Sequence, residues 1–230
     1  MMLDLAQAML DEAEIPKKGA CADLVVVIDD VELGNLGQEA VIVEHFRKAL
    51  TRKLDKYETG TRERYHLLLR QRCSFHLLRP MVESYLFGDE GALLVAGVSA
   101  GVKPLLVSSD VEQHETHDPA WLPTCHAENE RRRAIAPWWR HELHPKHYLG
   151  HLTRRSSVFY EETDHGKRAL QGLAWAGVPK LPEEAPILRS LFEDLADWFG
   201  VASPLGPGAT DPRFCPLRSV NRASLLLRNL

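Results

Sequence analysis

An uninterrupted apolar run closed by two acids, Leu24 to Ile28 followed by Asp29 and Asp30, constrains the fold of this chain more than any other segment. Its three consecutive valines are stiff at χ1 and favour extended backbone. An apolar run without alternation suits a strand covered on both faces, as in a parallel sheet. The run therefore predicts a fully buried parallel strand that stops abruptly in charge. A parallel neighbour requires a crossover, usually helical. Residues 39–54 supply one, because Ile42, Phe46, Ala49, Leu50 and Leu54 fall on one helical stripe. Strand followed by helix is the pattern of α/β proteins.

Other segments extend this pattern. Met1 to Glu14 carries Leu3, Leu5, Ala6, Met9 and Leu10 at helical spacing, ahead of Pro16 and Gly19. The stretch RERYHLLLRQR reads as a helix. CSFHLL alternates Cys73, Phe75 and Leu77 with Ser74 and His76, as a second strand does. Pro80 suits the first turn of a helix that Gly88 breaks in two. From Ser108 to His144 the chain is polar, rich in histidine and interrupted by Pro119, Pro123 and Pro137, which reads as a long irregular insertion. Trp121, Trp138 and Trp139 argue that this insertion packs. Helices are expected from Pro145, over 164–175, and over 183–199, the last burying Ile187, Leu188, Leu191, Phe192, Leu195 and Trp198 and ending at Gly200. Pro204, Gly206, Pro207, Gly208 and Pro212 then mark a linker to a basic, leucine-rich tail. The expected organisation is an α/β domain over residues 1–200, with a parallel-sheet core flanked by helices and an insertion at about 108–144, then linker and tail over 201–230.

Composition narrows the function classes. The longest apolar runs, 24–28 and 92–98, fall far short of the roughly 20 residues that cross a bilayer. No basic-then-apolar leader opens the chain, so a cytoplasmic location away from membranes is expected. Cys21, Cys73, Cys125 and Cys215 are widely spaced, which fits buried free thiols rather than a zinc knuckle or a disulfide framework. A net charge of −4 gives no global attraction to nucleic acid, so any such contact needs a local patch. Arg131, Arg132 and Arg133, the pair Arg154 and Arg155, and the series Arg62, Arg64, Arg70 and Arg72 are candidate patches, although the usual behaviour of charge runs favours a solvated face for each.

Ligands of open α/β sheets gather at the carboxyl ends of strands. Asp29, Asp30 and Glu32 occupy that place, and carboxylate oxygens suit a hard divalent cation; the alternative is that they cap the following turn. Glu83 lies among apolar residues after the second strand and needs a partner, either a cation shared with Asp30 or an arginine such as Arg79. Asp89 invites the same two readings, ligand or helix cap. His114 with His117, and His141, His144, His147 and His151, recur at spacings of three or four, as zinc ligands on a helix can. His144 and Lys146 are candidate cations for a phosphate. The chain contains no nucleophile elbow, P-loop or dinucleotide fingerprint.

The segments LVVVIDDVE, FHLLRPMVESYLFGDEGAL, HPKHYL and YEETDHGKRALQGLAW together resemble a group of bacterial proteins related to the TOPRIM fold, the metal-binding domain of topoisomerases, primases and OLD-type nucleases. The resemblance covers roughly residues 20–200. It implies that Asp30 and Glu32, with Asp29 beside them, form the acid-x-acid pair that binds magnesium or manganese. It implies that Glu83 is the group's recurrent glutamate, ligand and catalytic group at once, with His144 and Lys146 meeting phosphate. The implied function is a divalent-metal-dependent nuclease, or nuclease-like component, of a prokaryotic antiphage defence system, with a protein partner from the same operon. The alternative is a non-catalytic subunit that uses the fold for protein contact, its leucine-rich tail docking on a partner as a short helix. One departure stands out. A TOPRIM domain opens on a strand that ends in a general acid–base glutamate, whereas this chain opens on a helical pattern in which Glu12 and Glu14 are poor substitutes. That strand either precedes Met1 or is missing.

Overall fold

Strand β1 (Val25–Asp30) pairs in parallel with β2 (Cys73–Leu78), Val25 opposite Cys73 and Asp30 opposite Leu78. The computed structural model, which describes residues 1–14, 22–136, 140–214 and 225–230, is a mixed α/β fold in which helices flank this small two-stranded sheet. Pairing continues beyond the strands, since the Val31 N–H donates to the Leu78 carbonyl at 2.9 Å and the Glu32 N–H to the Pro80 carbonyl at 2.8 Å. Helices α2 (Glu39–Leu54) and α3 (Thr59–Arg72) make the crossover, and α1 (Met2–Ala13) packs beside α2. The α2 stripe is buried as its spacing requires, and Phe46 stacks on Phe75 of β2 with ring centroids 4.1 Å apart. With Met9, Leu10, Leu50, Leu69 and Leu77 they form a first core, each large side chain contributing about 1.5–3 kcal/mol.

The burial of the two strands reverses the expectation. Val25 is the one buried residue of β1 and Ile28 is 45% exposed, whereas all six residues of β2 are buried. The cause lies at the far end of the chain. Among the described residues β1 has one strand neighbour, while the carboxyl-terminal segment lines β2: the Arg228 N–H donates to the Cys73 carbonyl at 2.8 Å. The Asn229 side chain donates to the Phe75 carbonyl at 2.8 Å and accepts the Phe75 N–H at 3.1 Å, imitating a strand neighbour. The alternating polar positions of β2 are thus interior and paired. His76 Nε2 lies 3.1 Å from Oδ2 of Asp194 on α9 (Pro186–Phe199), and Arg228 Nη2 lies 3.3 Å from Asp194 Oδ1. Burial alone would raise the Asp194 pKa, but His76 and Arg228 together hold it below the ordinary carboxylate range. Phe214, Leu227 and Leu230, from the segment expected as linker and tail, belong to the first core. Residues 215–224 of that segment lie outside the described residues.

A second core forms around α4 (Glu83–Leu86), α5 (Glu90–Val95), α7 (Pro145–Arg154) and α8 (Lys167–Gly172), with Tyr85, Leu86, Leu93, Tyr148, Leu149 and Leu152 inside. Helix α9 joins the two cores, Ile187 in the first and Leu188 in the second. Its amino end is buried there, and the Glu112 carboxylate accepts the otherwise orphaned N–H groups of Ile187 at 3.1 Å and Leu188 at 2.8 Å.

Several boundaries shift from expectation. The helix foreseen from Pro80 begins at Glu83, because residues 79–82 first turn back onto β1. It breaks around Gly88, and Asp89 caps α5 by accepting the Gly91 N–H at 2.8 Å. The insertion is not irregular throughout, for it holds α6 (Leu122–Arg133) and short turns at Val111–Gln113 and His141–Leu143. Cys125 is the one buried residue of α6, so hydrophobic spacing could not announce it; Glu128 paired with Arg131 and Arg132 supports it instead. Trp121 is buried, while Pro137, Trp138 and Trp139 lie outside the described residues. The helix expected over 164–175 is divided into a π turn at Glu162–Gly166, α8, and a turn at Trp175–Gly177. Cys73 and Cys125 are buried free thiols; Cys21 and Cys215 lie outside the described residues. No helix among the described residues is long and apolar enough to cross a membrane.

Candidate functional site

The parallel strands end together, which brings the residues after β1 against those after β2. Asp30 Oδ1 accepts the Val82 N–H at 3.0 Å. Burial pushes the Asp30 pKa up to about 7, with the charges of Glu83 and Glu32 adding to the shift and the Val82 hydrogen bond opposing it. Glu32 is exposed and has φ +65° and ψ 153°, a region that residues with a Cβ rarely enter. Such backbone costs on the order of 1–3 kcal/mol and is held here by the bond to Pro80. Glu83 opens α4 and is 3% exposed, yet its Oε1 has no hydrogen-bond partner among the described residues. Burial raises its pKa, Lys146 opposes the rise, and Glu162 and Glu32 reinforce it. Lys146, in the first turn of α7, pairs with Glu162 of the π turn, a contact that together with the charges of Glu83 and Glu32 raises its pKa against the opposing effect of burial. Three carboxyl groups from three separate segments, Glu32, Glu83 and Glu162, thus act on one ammonium, and Asp30 adjoins them through Glu83 and Glu32.

The remaining candidates divide. Asp29 accepts the Asp30 N–H through its own Oδ1 at 3.1 Å, and its charge affects Asp30 less than those of Glu83 and Glu32 do, as befits neighbours that point to opposite faces of a strand. The Arg79 partner considered for Glu83 is engaged elsewhere, with Arg79 Nε 3.5 Å from Oε1 of Glu39. Glu39 also holds Arg213 Nη1 at 2.9 Å. His144 lies in surroundings that differ from those of an exposed cation. It is buried, its ring stacks 3.7 Å from that of His147, and burial with the neighbouring His147 and His141 holds its pKa down at about 3. A neutral ring inside the fold is no cation for a phosphate at neutral pH.

The basic patches are largely self-paired. Arg131 and Arg132 both bind Glu128, Arg133 lies 3.5 Å from Glu130, and Arg155 lies 3.7 Å from Asp118. Arg62 and Arg64 pair with Asp55 and Glu14. Arg154 is exposed and joins no ion pair among the described residues. His141, His144 and His147 do gather, their ring centroids 3.7–6.4 Å apart, but His114 is buried while His117 is exposed, so that pair shares no face. Among the described residues, no three or more His, Cys, Asp or Glu side chains are already arranged to hold a metal ion.

Glu162 and Tyr160 escaped the reading of the sequence. Their signal was the segment YEET ahead of α8, but nothing in its spacing connects it with a strand more than a hundred residues earlier. Chemically the cluster can bind a hard cation through oxygen atoms, hold protons near neutral pH, and offer the Lys146 ammonium to an anion. Comparison with family models, with curated proteins and with solved structures found no match.

Proposed function

We propose that this chain is a divalent-cation-dependent phosphodiesterase of nuclease type, with Asp30, Glu32 and Glu83 around the ion. The observation that carries the reading is Glu83: a buried carboxylate whose Oε1 has no hydrogen-bond partner among the described residues and whose charge, with that of Glu32, raises the neighbouring Asp30. An unpaired buried charge is expensive, and Lys146 is the cation that opposes the raised pKa of Glu83, a cation it shares with Glu162 and Glu32. The donor set fits magnesium or manganese, since every candidate ligand atom is oxygen. Closing on an ion requires side-chain rotation, which the exposed Glu32 permits.

When bound, such an ion supplies Lewis acidity and steadies the charge on a phosphodiester. The chain's own groups account for the rest. The Lys146 ammonium is positioned to meet a phosphoryl oxygen, exchanging its contact with Glu162 for one with the substrate. Glu83 Oε1 is the acceptor open to the proton of an attacking water. Asp30 fixes the segment that bears Glu83 through its bond to Val82.

The resemblance to TOPRIM relatives supports the reading and supplies the suggestion of antiphage defence with an operon-encoded partner. The non-catalytic alternative drew in part on the leucine-rich tail, whose residues Leu225, Leu227 and Leu230 are buried on this chain. The test is cleavage of labelled single-stranded and duplex DNA and RNA with magnesium or manganese. Cleavage should vanish with chelator and in Asp30→Ala. Full activity in that variant would remove the proposed centre.

A further inference from the structure

Lys146 and Tyr160 border the carboxylate cluster on one side and a separate cavity of about 420 Å³ on the other. The cavity opens between α6, α7 and the segment that follows α7. Its cations are Arg132, Lys146 and Arg154, with Glu128 the one carboxylate in its lining. That is a local excess of positive charge on a chain of net charge −4. Arg132 and Lys146 have carboxylate partners, and Arg154 at the end of α7 supplies the cation that has none among the described residues. Phe159 lines the same cavity and is 75% exposed, so its ring face is accessible beside these cations.

Gly150 shows how the space could be filled. It lies in the interior of α7, where glycine weakens a helix, and it lines this cavity. A Cβ built on it meets no atom within 4 Å, so packing does not demand glycine there. What a side chain at 150 would occupy is the cavity itself.

We propose that this cavity binds a nucleotide, with its base stacked on Phe159 and its phosphate held by Arg154 and Arg132. Stacking on an exposed ring beside cations tolerates any base and requires that the base be unpaired. The ligand is therefore a free nucleotide or an unpaired nucleotide of a single strand; a duplex, with its bases hidden, is excluded. The inference rests on the phosphodiesterase reading only for the claim that the bound strand leads to the carboxylates past Lys146 and Tyr160. Binding itself does not depend on it.

The experiment is fluorescence anisotropy of a short labelled single-stranded oligonucleotide in EDTA, where the carboxylate cluster holds no divalent ion. Gly150→Leu fills the cavity and keeps the helix, as circular dichroism and thermal melting will verify. It should weaken binding at least about tenfold, as should Phe159→Ala and Arg154→Ala, and the matching duplex should bind at least about tenfold more weakly than the strand. Displacement of the strand by ADP assigns the cavity to a free nucleotide, and failure of ADP to displace it assigns the cavity to a strand. No binding by either ligand, equal binding of duplex and strand, or undiminished affinity in a folded Gly150→Leu protein overturns the proposal. A protein that binds the strand but cleaves nothing with magnesium would remove the phosphodiesterase reading and leave this one standing.

Discussion

Asp30 Oδ1 accepts the Val82 N–H at 3.0 Å, so the last residue of β1 holds the backbone immediately before Glu83, across 52 residues of sequence. That bond places two carboxyl groups side by side at the end of the sheet, and the Lys146 ammonium offsets only part of their repulsion. The physical behaviour of the site follows from this crowding.

Asp30 makes stability depend on pH. Its pKa rises on folding from 3.8 to about 7, chiefly through burial, so the folded state holds this proton more tightly than the unfolded one. The resulting stabilisation is full below about pH 4 and is lost as pH rises to about 7. Asp30→Asn keeps an acceptor for Val82 but cannot ionise. The difference in unfolding free energy between about pH 5 and about pH 8 should shrink by about 1–2 kcal/mol in urea titrations. An unchanged difference would mean that Asp30 is ionised throughout.

Glu83→Gln separates repulsion from ion binding. Without divalent ions the variant should be more stable than the parent by about 0.5–1 kcal/mol, because one member of the crowded set is neutral. Magnesium or manganese should raise the melting temperature of the parent, since a ligand of the folded state stabilises it, and should have little effect on the variant. Equal cation-induced shifts in scanning fluorimetry would exclude Glu83 as a ligand.

His114 carries the opposite pH signature. It is buried against Phe87, with ring centroids 4.8 Å apart, and neither ring nitrogen has a hydrogen-bond partner among the described residues. Burial lowers its pKa from 6.5 to about 3, so its contribution is present above about pH 6.5 and is lost as pH falls toward 3. His114→Phe should leave stability within about 1 kcal/mol at neutral pH and make the protein more resistant to acid than the parent. A loss beyond about 2 kcal/mol at neutral pH would reveal a bonded ring.

Asn229→Ala should destabilise the chain by about 2–3 kcal/mol in the same urea assay, because it leaves the buried N–H and carbonyl of Phe75 without partners. An effect below about 0.5 kcal/mol would mean that the carboxyl-terminal segment does not line β2 in solution.

Much of the local structure was legible in the sequence. The apolar run ending in Asp29 and Asp30 is β1, the stripe from Ile42 to Leu54 is α2 with the bounds its spacing indicates, and Pro145 and Gly200 mark the start of α7 and the end of α9. Of the site, Asp30, Glu32, Glu83 and Lys146 were legible as candidates because each is a charge set at an element end or in an apolar context. Alternation in CSFHLL identified a strand but misjudged its surroundings, since periodicity reports which side of an element is apolar and not what will cover the other side.

By itself the sequence determined where both strands and the helices with a clear apolar stripe form and which charges lie at their ends, since backbone propensity and apolar spacing act between residues close along the chain, whereas α6, with one buried residue, was not legible. Tertiary structure alone decided that β2 rather than β1 is the enclosed strand, that Arg79 serves Glu39 and leaves Glu83 to Asp30, that Glu162 joins Lys146, and that His144 is neutral. Charge state and ion pairing follow distance through space and the loss of water, and both are set by segments that meet only when the chain has folded.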